Sequence, residues 1–284
     1  MIDQEINKNV KHHQTTKPGR LSEIIQEIFQ LTLLEFKKLL FLGSIYVNNE
    51  RQSKDKIISE GSAIRLHTNP QRYDCNLDWS SRIVFENDFC LVLNKPSGVP
   101  SHPMIDNALE NALTKTSLAR RYPLFVTHRL DTLTSGLIVY GKKTSFVRSF
   151  NLQLQARTVE KKYVALVESQ QIFPPKLTHY MDSLSKAPKK MALDANENWL
   201  KCELEILEQK ILESNLSWVK IRLLTGRTHQ IRAQFSFMQA PVSGDILYGA
   251  RSTFNANAIA LRSSEIEFDC GEKRIAVHLD EDFL

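Results

Sequence analysis

Between residues 82 and 284 six segments read as β-strands: RIVFE, FCLVLNK, SGLIVYGK, KKYVALVE, LKCELEILEQ and LSWVKIRLL. Several alternate apolar and polar side chains with a period of two. That pattern buries one face only and favours antiparallel neighbours over the doubly covered strands of a parallel sheet. Helical segments such as TSFVRSFNLQLQ lie between them. The expected class is therefore α+β, a mostly antiparallel mixed central sheet with helices packed on it.

The N-terminal quarter has a different grain. LSEIIQEIF and LLEFKKLLFLG have apolar residues at helical spacing, Thr32 and Glu35 have the spacing of a capping box, and Gly43 is placed to end the second helix. SIYVNNE and SAIRLHT follow as strands, with Asn48 and Asn49 suited to a tight turn. The expected organisation is a flexible tail over 1–19, a small α+β unit over 20–70, a polar linker over 71–81 and a larger domain over 82–284.

Composition narrows the class. Hydrophobic residues make up 42% and charged residues 24% of the 284, and no apolar run reaches the roughly 18 residues that a membrane span needs. The first twenty residues hold no apolar block of the secretory kind, so a cytoplasmic protein is expected. Cys75, Cys90, Cys202 and Cys270 are scattered, which predicts neither a zinc site nor a disulfide framework. The net charge of +5 is modest, but residues 1–72 carry 11 basic against 8 acidic side chains, so the excess is denser at the N-terminal end.

HRLDTLTSGL, residues 128–137, sets Asp131 in a loop that feeds a strand. An aspartate there serves either as a turn-former or as a reactive group held by a rigid scaffold. Three other segments bring polar and cationic residues to strand ends: LNKPSGVPSHP, EKKYVALV and LLTGRTHQIRAQF. In the last, Arg227, Thr228, His229, Gln230 and Arg232 surround a helix start, a place that favours an anion. Arg227 beside Asp131 would keep the acid ionised and fix its direction. Such a pair reads equally as catalytic or as fold-stabilising.

These residues carry a resemblance. HRLDTLTSGL matches every fixed position of HRLDxxTSGL, the signature of the RluA family of pseudouridine synthases, and LNKPSGVPSHP, EKKYVALVE, LTGRTHQIRAQF and PVSGDILYG resemble the family's other blocks in order. RLSEIIQEIF, LTLLEFKKLLFLGSIYVNNERQ and GSAIRL resemble the S4 RNA-binding domain, with Asn49 where that pattern usually has glycine. The resemblance implies a pseudouridine synthase fold behind an S4-like unit, and isomerisation of uridine within RNA, ribosomal RNA before transfer RNA. Asp131 is then the essential acid, Tyr163 stacks on the target base, Arg227 pairs with Asp131, Ile231 lines the uracil pocket and Arg129 enters the space the base leaves. Lys37, Lys38, Arg51 and Lys54 would lie near phosphates. No cofactor and no metal are implied, and a monomer is expected. His102, His128 and His229 have no part in that scheme, and His128 and His229 read as scaffold.

Overall fold

The computed structural model describes residues 9–281 and places two units on the chain. The smaller comprises the residues up to Asn76 together with His102–Leu118. It contains strands β1 (Val10–Gln14) and β2 (Gly19–Arg20), helices α1 (Leu21–Phe29) and α2 (Leu33–Leu42), and strands β3 (Ile45–Val47), β4 (Glu50–Arg51), β5 (Ile57–Ile58) and β6 (Ala63–His67). The apolar stripe of α1, Leu21, Ile24, Ile25 and Phe29, packs with Phe36 and Leu39 of α2 and with Ile45, Val47, Ile64 and Leu66 of the sheet. Thr32 Oγ1 accepts from the Glu35 N–H and the Glu35 carboxylate accepts from the Thr32 N–H, closing the capping box, and Gly43 ends α2 at φ +74°. Asn48 and Asn49, at φ 51° and 65°, make the β3–β4 turn. Asparagine tolerates the left-handed region, so the turn does not require glycine at 49.

Two boundaries differ from the sequence expectation. Val10–Gln14, expected within a flexible tail, pairs antiparallel with β6 from Val10 against His67 to Gln14 against Ala63; residues 1–8 of that tail lie outside the described residues. An edge strand needs only its backbone groups paired, and polar side chains such as those of VKHHQ do not prevent that. Residues 102–118, expected in the larger domain, pack into the smaller unit. Ser44 Oγ donates to the Asp106 carbonyl at 2.6 Å, Tyr46 Oη to that of Ile105 at 2.7 Å, and the Ala108 N–H to the Leu42 carbonyl at 2.7 Å. Contacts made by polar groups leave no trace in hydrophobic periodicity.

The larger unit holds β7 (Ile83–Glu86), β8 (Cys90–Lys95), β9 (Phe125–Val126), β10 (Ser135–Gly141), β11 (Glu160–Val167), β12 (Lys176–Asp182), β13 (Met191–Ala192), β14 (Trp199–Ile211), β15 (Ser217–Leu223), β16 (Leu261–Cys270) and β17 (Lys273–His278). These form one sheet in the order β13-β12-β14-β15-β11-β16-β10-β8-β7, with β17 on β16 and β9 on β10. β10 and β16 run parallel and every other pair is antiparallel, so the sheet is mixed and mostly antiparallel, as expected. Helix α3 (Ala112–Arg120) falls mostly in the smaller unit, while in the larger α4 (Thr144–Ala156) lies between β10 and β11 in sequence and α5 (Gln230–Phe237) follows β15. Phe146 and Phe150 of α4 pack on Phe268 of β16 with ring centroids 5.4–5.9 Å apart, fastening the helix to the sheet.

The parallel β10–β16 pair crosses closely at Gly136. This residue sits at φ +103°, and a Cβ there would overlap the Ser263 carbonyl and lie 2.7 Å from the Ser263 nitrogen. Gly249 also has positive φ, +94°, but faces open space. Gly249→Ala is expected to cost about 1–2 kcal/mol from backbone strain alone. Gly136→Ala adds a clash with backbone, and its loss is expected to be larger by about 1–3 kcal/mol. Calorimetric unfolding of the two variants checks this, and equal losses would contradict the close crossing.

Candidate active site

Asp131 lies in the loop that enters the middle of the sheet at β10, and side chains from below grip that loop. Ser101 Oγ donates to the Leu130 carbonyl at 2.8 Å and accepts from the Leu130 N–H at 3.0 Å. Lys95, fully buried at the end of β8, gives its three protons to the carbonyls of Pro96, Val99 and Thr132 at 2.7–3.2 Å. Burial pushes its amine down to about 7, opposed by the negative charge of Asp131. His128 Nε2 accepts from the Val139 N–H at 3.0 Å while its ring stacks on Phe150. Burial drives that imidazole down to about 3, so it is a neutral scaffold group.

The cation on Asp131 is Arg232, not Arg227. Arg232 Nη1 donates to Asp131 Oδ2 at 3.1 Å, while Nε and Nη2 form a fork on Asp245 at 2.6 and 2.9 Å. Its side chain is 4% exposed. Burial disfavours its charge, but its hydrogen bonds to Asp245 and the negative fields of Asp245 and Asp131 more than offset this. The reason for the exchange is local. The Gln230 side-chain oxygen accepts from both the Arg227 N–H and Thr225 Oγ1, curling residues 225–229 back, and His229 takes a left-handed conformation at φ 59°. Arg227 stays exposed on the cleft wall, whereas Arg232, on the first turn of α5, is the one carried inward. Among the described residues no side-chain or backbone donor reaches Asp131 Oδ1.

A cleft of about 830 Å³ opens beside Asp131. Tyr163, Ile231 and Leu261 line it, each at most 6% exposed. Tyr163 stands at a bulge. Lys162 pairs with Glu265 but Tyr163 with Ser263, so Ser264 is passed over, a device that re-aims side chains. Ser263 also pairs with Gly136, so β16 sets Asp131 and Tyr163 on its two sides. Burial pushes the Tyr163 hydroxyl pKa up. Arg129 is exposed at the rim and donates to Thr228 Oγ1. The lining holds seven Lys and Arg against three Asp and Glu, an excess that attracts a polyanion. Lys161 is among the seven. Burial lowers its amine, and no described residue forms an ion pair with it.

All five residues expected at the site, Asp131, Arg129, Tyr163, Arg227 and Ile231, line this cleft. Of the four expected near phosphates, Lys37, Lys38 and Lys54 are exposed. Arg51 is spent within its own unit, donating to the carbonyls of Gly43 at 2.9 Å and Met104 at 2.7 Å and lying over the Tyr46 ring. Sequence reasoning passed over Lys95 and underrated Arg232 and His229. The usable signal for Arg232 was its place inside the helix that starts at Gln230, with a second acid, Asp245, available in PVSGDILYG.

The sequence family described as RNA pseudouridylate synthase matches residues 89–237, just over half of the chain. RNA pseudouridine synthase 6, chloroplastic, of Oryza sativa subsp. japonica is 32% identical over 215 residues, 67% of this chain and 45% of that protein. This chain thus spans less than half the length of that plant relative. Ribosomal large subunit pseudouridine synthase C of Buchnera aphidicola subsp. Baizongia pistaciae is 29% identical over 283 residues, 90% of this chain and 87% of that protein. The solved structure of human RNA Pseudouridylate Synthase Domain Containing 1 superposes with a TM-score of 0.57 at 27% identity, covering 71% of this chain and 84% of that one. The oriented carboxylate, the buried tyrosine, the cationic cleft and these similarities lead to one conclusion: the chain belongs to the RNA pseudouridylate synthase family.

Proposed function

We propose that the protein isomerises uridine to pseudouridine within an RNA chain, with Asp131 as the reacting acid. The observation that carries this reading is the asymmetry of the carboxylate: Oδ2 is engaged by Arg232 and Oδ1 has no donor among the described residues. Breaking the N1–C1′ bond builds positive character on the ribose, which a free carboxylate oxygen stabilises, captures at C1′, or answers by removing the 2′ proton. The uracil then turns, C5 bonds to C1′, the C5 proton leaves and N1 gains one, so atoms and charge balance without oxidant or hydrolysis. A base stacked in RNA cannot reach Asp131 and must be extruded. Tyr163 and Ile231 supply the apolar walls for it, and Arg129, at the rim, fills the gap it leaves.

The substrate we assign is large-subunit ribosomal RNA. Two features favour it: the S4-like smaller unit, and the name of the Buchnera relative. On α2 of that unit Lys37, Lys38 and the exposed Phe41 lie three and four residues apart, so one helix face offers both phosphate-binding charge and a stacking ring. Lys54 adds to it as an exposed cation; Arg51 does not belong to this set.

Asp131→Asn is expected to lower tritium release from transcripts labelled at uridine C5 by at least about 10³-fold while RNA affinity stays within about twofold. Full activity of the variant would mean a protein that keeps the fold without using this acid. Arg232→Lys keeps the charge but cannot serve Asp131 and Asp245 together, and kcat is expected to fall about 10- to 10³-fold. Arg227→Ala is expected to act mainly on KM. In cells lacking the protein, mapping should show a pseudouridine missing from large-subunit ribosomal RNA. A loss confined to transfer RNA would overturn the substrate assignment.

A further inference from the structure

His229 holds a place in the cleft that the reaction above leaves unused. Its Nε2 lies 3.8 Å from Asp131 Oδ2, the same oxygen that Arg232 engages. On the other side of the ring, Nδ1 is 3.0 Å from Tyr248 Oη, and that oxygen also accepts from the Lys189 N–H at 3.0 Å. Tyr248 is 4% exposed, with its ring edge-on to His229 and beneath the Arg232 guanidinium.

The hydrogen count points to one tautomer. Tyr248 Oη already accepts the Lys189 proton, and among the described residues its own proton has one hydrogen-bond partner, His229 Nδ1. That arrangement makes Nδ1 the acceptor. Burial, reinforced by Arg232 and opposed by Asp131, holds the imidazole below its ordinary pKa, so the ring is neutral and its single proton sits on Nε2. That N–H faces Asp131. The left-handed backbone at 229 fixes the ring where a helical residue would carry it away.

We propose that His229 is a positioning residue for Asp131: its Nε2–H, set by Tyr248, closes onto Oδ2 when substrate fills the cleft, so that Arg232 and His229 together hold one carboxylate oxygen and turn Oδ1 toward the ribose. The proposal rests on the synthase reading. Two donors on one oxygen fix the carboxylate plane, which a single donor leaves free to rotate.

Substitution separates this role from packing. Asparagine adopts the left-handed conformation readily and can still accept from Tyr248, but it has nothing at the Nε2 position. His229→Asn is expected to lower kcat about 10- to 100-fold with KM within about twofold. His229→Gln, whose amide reaches the Nε2 position, is expected to restore activity to within about fivefold of the parent. Tyr248→Phe is expected to lower kcat less, and the His229→Asn, Tyr248→Phe double variant to be no worse than His229→Asn alone. Nitrogen NMR of ring-labelled protein without RNA reads the tautomer directly, independent of turnover. A proton on Nδ1, parental kcat in His229→Asn, or a loss confined to KM overturns the proposal. An intact protein that releases no tritium from ribosomal or transfer RNA transcripts overturns the synthase reading, while the NMR result still decides the tautomer of His229.

Discussion

A buried guanidinium placed between two carboxylates is the interaction on which the site depends. Arg232 reaches Asp131 across 101 residues of sequence and Asp245 across 13, and Asp245 is itself 1% exposed. Pairs of this kind contribute little net stability, because the desolvation of both partners offsets their attraction. Breaking one is another matter. Removing Arg232 would leave Asp245 charged and unpaired in the interior, at a cost of about 3–5 kcal/mol. What the pair supplies is direction, a carboxylate aimed into the cleft by one oxygen.

The sheet makes that direction possible. β16 lies between β10 and β11, and Ser263 pairs with Gly136 on one side and Tyr163 on the other. The aromatic wall is therefore set by backbone register, and the acid stands on a short loop anchored to the strand that the same register holds. Gly136 permits the close crossing, the bulge at Ser264 re-aims Tyr163, and the buried Lys95 ammonium ties the carbonyls of three separate residues under the acid. Burial on this scale excludes water from one side of the carboxylate and strengthens every charge–charge interaction there.

The alternating strands, the capping box at Thr32 and Glu35 and the turn at Asn48 and Asn49 were legible, because each is a local pattern with a local physical cause, whereas HRLDTLTSGL gave only the loop position of Asp131 and its role came from the resemblance. What escaped was set by distant partners. Val10–Gln14 became a strand because β6 had an open edge, and Arg51 turned inward because Met104 offered it a carbonyl. The exchange of Arg227 for Arg232 is of the same kind. Both arginines lie near the helix start, but the curl imposed by Gln230 decides which one faces Asp131. His229 read as scaffold because its interest lies in the Tyr248 hydroxyl, a contact 19 residues away that no spacing rule reports.

The most direct test of the account is a crystal structure of the protein with an RNA it modifies, carrying fluorine at C5 of the target uridine so that the final proton loss is blocked. The account requires the extruded ribose to lie with C1′ or the 2′ position beside Asp131 Oδ1, Arg232 remaining on Oδ2 and the base against Tyr163. A target nucleotide seated away from this cleft, or an Asp131 that has turned Oδ1 to Arg232 and offers the sugar no free oxygen, would contradict it.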